Sequence, residues 1–475
     1  MIKRFGIVLF FILLRLCSEA NVVNVDSARV IALNFYNATA HPAAPLSATL
    51  NTAYTESDGT TDFYVFDILP APGFVIVSAA DNVTPILAYS TESNFRSDLS
   101  QIGITGWMKH TGDQIHSLVL SHAPAGVSTT ALWTAYHTGS SVGSLRSGGV
   151  NPMLSTTWAQ EPFYNMLCPY DYANGALSVT GCEATAMAQI MKYWGYPAQG
   201  TGSFSYKDSV NNTGYSLNIG FLHADFGTTT YHWSQMPSSL SGNDSAVATL
   251  MYQCGVSMAS NYSARGTSAY SYYPGHHSAV NSFIRYFSYD STTIKYVQQA
   301  NYTVSDWLTM IENELNQGRP VLYSGRDTGG IGGHAWVCDG YDANGNLHMN
   351  WGWGGMDNGY YLSTDLNPDG YNWSWGEAAI IGIKPGETTG IENTATDQAF
   401  ALYPNPASTS ITITGNNSNA PVDYAIYDVL GNKMSQGSLS DKSGTVNTSS
   451  YTTGMYFAKL QSGQKETALR FLIEK

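Results

Sequence analysis

Charge is what this chain has least of. Charged residues fill 12% of its 475 positions, about half of the roughly 25% usual in globular proteins. Lysine and arginine number 21 against 35 aspartates and glutamates, a net charge of −14. A nucleic-acid binder needs a basic face, so that class is excluded. Coiled coils and long-helix proteins need Glu, Lys and Leu in quantity and are excluded as well. Cysteine is scarce, five in all, which is too few for a disulfide scaffold. Beyond the first 20 residues no stretch reaches the roughly 18 apolar residues of a membrane-spanning helix. What fills the space is glycine (46) and tyrosine (32), with serine, threonine and asparagine. Hydrophobic residues at 43% can bury sizeable cores, and the length suggests about two to four domains. The mix reads as β-rich and extracellular.

The first 20 residues stand apart. Lys3 and Arg4 precede an apolar run from Phe5 to Leu14, and Ser18 and Ala20 are spaced like a signal-peptidase site. This reads as a secretory signal. The next unit, 21–150, carries a helical pattern at Asp26–Ala38 and strand patterns at Phe63–Ile68 and Gly73–Ser78. A second helical pattern covers Trp107–Leu120. Its tail at 138–151 is rich in Gly and Ser and reads as a flexible, cleavable linker. A large unit, 151–385, holds a helix at 182–194 and alternating strands at 320–325, 334–341, 346–351 and 360–363. A polar linker, 386–399, leads to 400–475, whose short period-two strands suggest a small β-sandwich.

The most informative stretch runs from Thr180 to Pro197. Thr180 and Glu183 have capping-box spacing, Gly195 fits a left-handed C-cap, and Pro197 stops the chain. Cys182 therefore falls at a helix N-terminus, where backbone N–H groups favour an anion and lower a thiol pKa. The position admits two readings: a working thiolate, or a small buried hydrophobe. Cys168, Cys182, Cys254 and Cys338 are separated by 14, 72 and 84 residues, which matches no zinc pattern. One or two pairs can form among them in an oxidising compartment. A working thiolate leaves at least one of the others unpaired.

A cysteine nucleophile needs a base and the base an orienter. Of 11 histidines, His334 stands out, with Gly332 and Gly333 before it and the apolar Ala335-Trp336-Val337 after it. His223, His232, His276 and His277 lack such a context. Asn350, sixteen residues on, can accept from the imidazole, and Trp351 beside it can shield that bond. A buried histidine in an ordinary hairpin is the competing reading. The oxyanion needs donors, for which the Cys182 N–H and the side chain of Gln160 are candidates.

Together these words resemble the streptopain-like family of papain-fold cysteine peptidases. The order Gln160, Cys182, His334, Asn350 carries the resemblance. So do Gly181-Cys182 with Ala184-Thr185-Ala186 and Ala188-Gln189-Ile190-Met191-Lys192-Tyr193, Gly333-His334-Ala335, and Asn350-Trp351-Gly352-Trp353-Gly354-Gly355. Residues 63–90 resemble the family's inhibitory prosegment. Tyr403-Pro404-Asn405-Pro406 and Asp428-Val429-Leu430-Gly431 resemble a type IX secretion sorting domain.

The resemblance implies an α+β fold: a peptidase domain with a helical part and an antiparallel β part, preceded by a small α+β prodomain and followed by an Ig-like β-sandwich. It implies a secreted, zymogenic cysteine endopeptidase with catalytic Cys182, His334, Asn350, Gln160 and Trp351. Gly333, Thr267, Ser268, Ala269 and Tyr262 would bind substrate. The prosegment would block the cleft until the linker is cut. Partners would be protein or peptide substrates, the chain's own prosegment and the type IX machinery, in a monomer exported from a Gram-negative Bacteroidetes-type cell. No metal or organic cofactor is expected. A catalytically silent binding protein on the same scaffold and a transglutaminase-like acyl transferase are the alternatives. The sequence departs from the family at Glu183, where an apolar residue is usual, and around Met258–Ser263.

Overall fold

A computed structural model describes residues 21–96, 102–140, 148–208, 219–326, 333–363, 376–386, 400–405, 407–415, 422–428, 432–439, 443–462 and 465–475. The secretory signal at 1–20 lies outside the described residues, as do 141–147 and 387–399 of the two linkers. The chain forms two compact units, Met1–Gly386 and Glu387–Lys475.

The first unit opens with α1 (Val25–Ala40), whose N-cap Asn24 accepts from the Ser27 N–H. Four strands follow: β1 (Ser47–Thr55), β2 (Thr61–Leu69), β3 (Phe74–Ser78) and β4 (Ile86–Ser90). Then come α2 (Ile102–Leu120) and α3 (Val127–Thr138). Strands β1 and β4 and helix α3 add to the elements the sequence pattern indicates. Both faces of this sheet are covered. Phe63, Val65, Phe74 and Ile76 turn to the core of α2, while Phe66, Ile68, Val75 and Val77 turn to α1. Strands buried on both sides read as continuous apolar runs, so alternation is masked in β3.

The chain then forms the hairpin β5 (Tyr170–Asp171) and β6 (Ala176–Leu177), and α4 (Cys182–Trp194). A second hairpin, β7 (Ser203–Asp208) and β8 (Gly220–Asp225), leads to α5 (Ser245–Ser257), α6 (Ala279–Arg285), β9 (Lys295–Gln298) and α7 (Val304–Asn316). Five strands close the unit: β10 (Val321–Arg326), β11 (Gly333–Tyr341), β12 (Leu347–Asn350), β13 (Gly359–Tyr361) and β14 (Ala378–Ile381). The sheet order is β1-β2-β3-β4-β13-β12-β11-β10-β14-β9, so the early strands and the later ones share one sheet. The seam is short, with Tyr89 opposite Tyr360 and Ala88 opposite Tyr361.

Helix α4 lies between the helical part and the sheet. Its Met187, Ile190 and Met191 join Leu250, Met251 and Phe283, and Leu322, Ala335 and Val337 close that core from the strands. Its end follows the sequence: Gly195 is left-handed at φ 56° and donates to Lys192 and Met191. Its start does not, as the site makes clear below.

The second unit contains β15 (Phe400–Tyr403), β16 (Ser410–Gly415) and β19 (Ser443–Asn447) in one sheet. Its other sheet has β18 (Lys433–Leu439), β17 (Val422–Asp428), β20 (Gly454–Ser462) and β21 (Lys465–Ile473). Ile411, Ile413, Ile426, Ala458 and Leu460 fill the space between them, the arrangement of a small sandwich. Among the described residues no helix is long and apolar enough to cross a membrane.

Candidate active site

The first residue of α4 is Cys182, half-buried. The residue before it, Gly181, caps the helix at φ 88° with no side-chain cap. A Cβ on Gly181 would stand 2.9 Å from the Thr267 carbonyl, so only glycine brings the nucleophile turn this close to the segment at Thr267. The expected capping box is absent. Thr180 pairs its hydroxyl with Thr185 at 2.8 Å and gives its N–H to the Gln160 carbonyl at 3.3 Å. The glycine φ shifts the helix start, and Glu183 enters the first turn with its carboxylate aimed elsewhere.

A cleft of about 680 Å³ lies along Cys182. Thr267, Ser268, Ala269, Gly333 and His334 line it, as do Glu183, the tyrosines at 270, 272, 273 and 296, and Ser271, Ser324 and Ala378. Four of the five expected substrate-binding residues are therefore present. Tyr262 is the exception: it is fully buried, gives its hydroxyl to the Tyr252 carbonyl at 3.3 Å, and belongs to the helical core. Its side chain is the wrong way round for the cleft because Asn261 and Ser268 pair across a β-bridge, while the Tyr262 N–H is tied to Asp208 at 2.8 Å.

His334 stands near the start of β11, opposite Gly325. The backbone N–H of the next residue, Ala335, points at the Cys182 sulfur, together with the N–H groups of Glu183 and Cys182 itself. Helix start and strand start thus meet at the sulfur. The imidazole Nε2 lies 2.9 Å from the Trp351 carbonyl. A carbonyl only accepts, so the proton sits on Nε2 and Nδ1 is the basic nitrogen. The ring packs on Trp353 at 4.8 Å between centroids, with Trp336 and Trp351 beside it.

This arrangement corrects the role expected for Asn350. Its Oδ1 accepts from Gln189 Nε2 at 3.2 Å and the Gly352 N–H at 3.3 Å, and its Nδ2 donates to the Thr156 carbonyl at 2.8 Å. The side chain is spent on tying three segments together, and the main chain one residue later takes the histidine proton. Gln189 completes the tie: its Oε1 accepts from the Thr156 hydroxyl at 2.9 Å and from the Trp158 N–H at 3.1 Å. Gln189 is fully buried. It lies within the family-like motif of α4, where no role follows from its sequence position. Its signal is a lone amide in an otherwise apolar helix core, which must find partners.

Trp351 is buried with its ring in the wall, but the His334–Asn350 contact that it is expected to shelter is not made. Its N–H donates to Asn358 at 3.1 Å and its indole N–H to the Asp357 carbonyl at 3.0 Å. Gln160 sits next to the nucleophile turn through its carbonyl bond to Thr180.

The electrostatics are those of a resting site. Burial, then the neighbouring Glu183 charge, pushes the Cys182 thiol up to about 12, against the pull of the three N–H groups. Burial holds the His334 imidazole down to about 4, with the Trp351 carbonyl opposing. Both shifts favour the neutral forms, a thiol and an imidazole, in this arrangement. All four described cysteines are free thiols, so no pair forms among them. Among the described residues no group of His, Cys, Asp and Glu is arranged to hold a metal.

The early strands reach the site from behind. No described residue before Cys182 lines the cleft. Their contacts fall on the wall that carries the histidine. The Ser93 hydroxyl donates to the Asn358 carbonyl at 2.8 Å, and the Arg96 N–H donates to the buried Asp357 at 2.7 Å. Glu92 lies 2.7 Å from His348 Nε2, whose Nδ1 is 2.6 Å from Asp339. These contacts of the described residues clamp the wall, where β4 continues the sheet at β13.

Comparison with known proteins agrees with this layout. Residues 158–361 match the Peptidase C10 family, 20–115 the Spi protease inhibitor and 401–474 the secretion system C-terminal sorting domain. Streptopain of Streptococcus pyogenes is 32% identical over 346 residues, 68% of this chain and 81% of that protein. The thiol protease/hemagglutinin PrtT of Porphyromonas gingivalis is 28% identical over 380 residues, and there the match spans only 41% of the relative's length. A solved fragment of Prevotella intermedia prointerpain A superposes with a TM-score of 0.56 at 29% identity, covering 71% of this chain and all of the fragment.

Proposed function

This chain belongs to the peptidase C10 family of cysteine peptidases, and on that premise we propose that it is an exported, latent endopeptidase acting on proteins through a thioester on Cys182. The observation that carries the reading is the meeting of two elements at one sulfur: the helix start supplies Cys182, and the strand start supplies His334 and the Ala335 N–H. His334 Nδ1 takes the thiol proton as the sulfur attacks the peptide carbonyl. The same proton goes to the leaving amine. Water, deprotonated by Nδ1, then attacks the thioester and releases the acid. The Cys182 N–H and the Gln160 side chain bind the oxyanion.

The signal 1–20 is removed on export, the prosegment 21–150 keeps the enzyme latent, 151–385 performs catalysis, and 400–475 past the 386–399 linker directs secretion. Latency comes from the clamp on the Trp351–Asn358 wall, which holds His334 in the neutral, buried arrangement. The test is a Cys182→Ala chain compared with the parent. The folded variant should neither process itself nor cleave casein; a variant that does both removes Cys182 from the mechanism.

A further inference from the structure

The prosegment holds a titratable cluster that the mechanism does not use. Asp62, near the start of β2, is fully buried, and neither carboxyl oxygen receives a hydrogen bond of normal length. Among the described residues, the one side chain within ion-pair reach that can carry a positive charge is His116 of α2, whose Nδ1 stands 3.6 Å from Asp62 Oδ1. The other ring nitrogen, Nε2, stands 3.5 Å from the Asp58 carboxylate in the turn between β1 and β2. Glu56 of the same turn adds a third negative charge facing Asp62. From β1, Tyr54 faces the group, and beside it on α2 stands Asp113, paired with Lys109 at 2.6 Å. The helix is seated closely here, since a side chain at Gly112 would strike the Tyr54 ring.

The position of α2 gives the cluster its reach. Trp107, Met108 and Ile115 enter the core that holds Trp336, Trp351 and Trp353, the rings around His334. The Trp107 indole N–H donates to the Leu362 carbonyl at 3.3 Å, and its ring meets Tyr361 edge-on at 5.1 Å. Helix α2 thus joins the prosegment strands to the histidine wall, and His116 ties it to those strands. A protonated imidazole offers an N–H to both carboxylates, a neutral one to only one of them. Burial pushes the Asp62 carboxyl up to about 7, against the pull of His116. A carboxyl raised on folding stabilises the docked form fully below its unfolded value of about 4, and that contribution is lost as pH rises through about 7. Above it, the buried charge stands beside Glu56 and Asp58 with one imidazole to offset all three.

We propose that Asp58, Asp62 and His116 form a pH-sensitive latch that seats α2 on the histidine wall in acid and loosens it as the medium becomes neutral. The proposal rests on the latency reading above and adds the signal that ends latency. It is distinct from the Glu92–His348 contact, which lies on the other face of the wall's hairpin partner and involves neither α2 nor β2.

Hydrogen exchange on the full-length chain tests it, with the α2 amides followed from about pH 5 to about pH 8.5 and corrected for intrinsic rate. Prosegment release after linker cleavage and casein hydrolysis are measured on the same samples. In the parent, α2 protection should fall by about tenfold or more up to about pH 7 and then level, and release should quicken with it. Asp62→Asn, neutral at every pH, should keep α2 protected and release slow throughout. In His116→Gln the fall should extend to higher pH, because no cation favours the ionised carboxyl. A parent whose α2 protection is flat overturns the proposal, as does an Asp62→Asn chain that keeps the parent's pH dependence. So does a loosening of α2 that leaves the release rate unchanged. In each of these cases casein hydrolysis by the released enzyme leaves the peptidase reading standing. A chain that shows the α2 response and never cleaves casein overturns the peptidase reading alone. Should Asp62→Asn not fold, the direction of the shift in His116→Gln decides.

Discussion

The Nε2–H of His334 donates to the backbone carbonyl of Trp351 at 2.9 Å. A main-chain acceptor has no rotamer and no charge state to lose, so the tautomer is set by where the strand end lies. Asn350 controls that position from one residue away, through Gln189, Thr156 and Gly352. Asn350→Ala should therefore lower kcat together with stability while leaving the pH–rate profile of the surviving activity unshifted. A displaced profile would mean that the amide contacts the imidazole directly.

Gln189→Leu is the companion test. It keeps the side-chain volume close, strands the Thr156 hydroxyl and the Trp158 N–H, and leaves the Asn350 oxygen with the Gly352 N–H alone. Each buried group left unpaired costs about 1–3 kcal/mol, so urea unfolding should show a loss of roughly 2–4 kcal/mol after partial compensation. Casein hydrolysis should fall with it, because the same tie holds the segment that carries Gln160.

Thiol labelling reads the resting state. With the Cys182 thiol up at about 12, its thiolate is rare at neutral pH, and iodoacetamide should modify the latent chain far more slowly than a free cysteine of ordinary pKa. The rate should climb through the alkaline range with no plateau below about pH 9. Removal of the prosegment should raise the neutral-pH rate at this one residue. Cys168, Cys254 and Cys338 are buried, and burial raises their pKa as well, so they should stay unlabelled in either state.

The clamp has its own pH signature. Burial opposes charging of His348, but Asp339 first and Glu92 second outweigh it and push it up to about 9. A raised histidine contributes fully below its unfolded value near 6.5, and the contribution disappears as pH rises through about 9. Glu92, held below the usual carboxylate range by its bond to His348, contributes above that range and less as acid protonates it. Because Glu92 is half exposed, solvent screening limits its share to about 0.5–1 kcal/mol. Glu92→Gln should therefore speed prosegment release severalfold near neutral pH and make little difference near pH 10. Dissociation after linker cleavage, followed by size exclusion, measures it.

Much of this molecule is legible in its sequence. The periodicity of 182–194 with Gly195 behind it marks α4, and the alternation of 334–341 and 346–351 marks the hairpin that carries His334. Cys182 and His334 are recognisable because reactive residues stand at element starts. The rest depends on distant partners. Thr180-x-x-Glu183 satisfies the capping spacing, yet the glycine φ at 181, forced by Thr267, moves the cap and sends the carboxylate to Ser271. Asn350 has the right chemistry for the histidine, but three other segments reach it first. Tyr262 lies five residues before Thr267 of the cleft, and the bridge between Asn261 and Ser268 decides which way its ring turns. Spacing along the chain cannot show which of several donors wins a contact made across the sheet.

The shared sheet leaves a mark on the mature protein. While β4 lies against β13, β1 is the edge on that side among the described strands. Once the prosegment leaves, β13 becomes an edge, and its unpaired N–H and C=O groups can template another chain. The exposure is small: β13 has three residues, and only two of them pair with β4. Tyr89, which stacks on Tyr360 at 5.0 Å, departs with the prosegment, so what remains is a short aromatic ledge in place of a long flat strand. On the proposed maturation, so brief a seam would let the prosegment extend the enzyme's sheet and still come away without leaving an aggregation-prone rim.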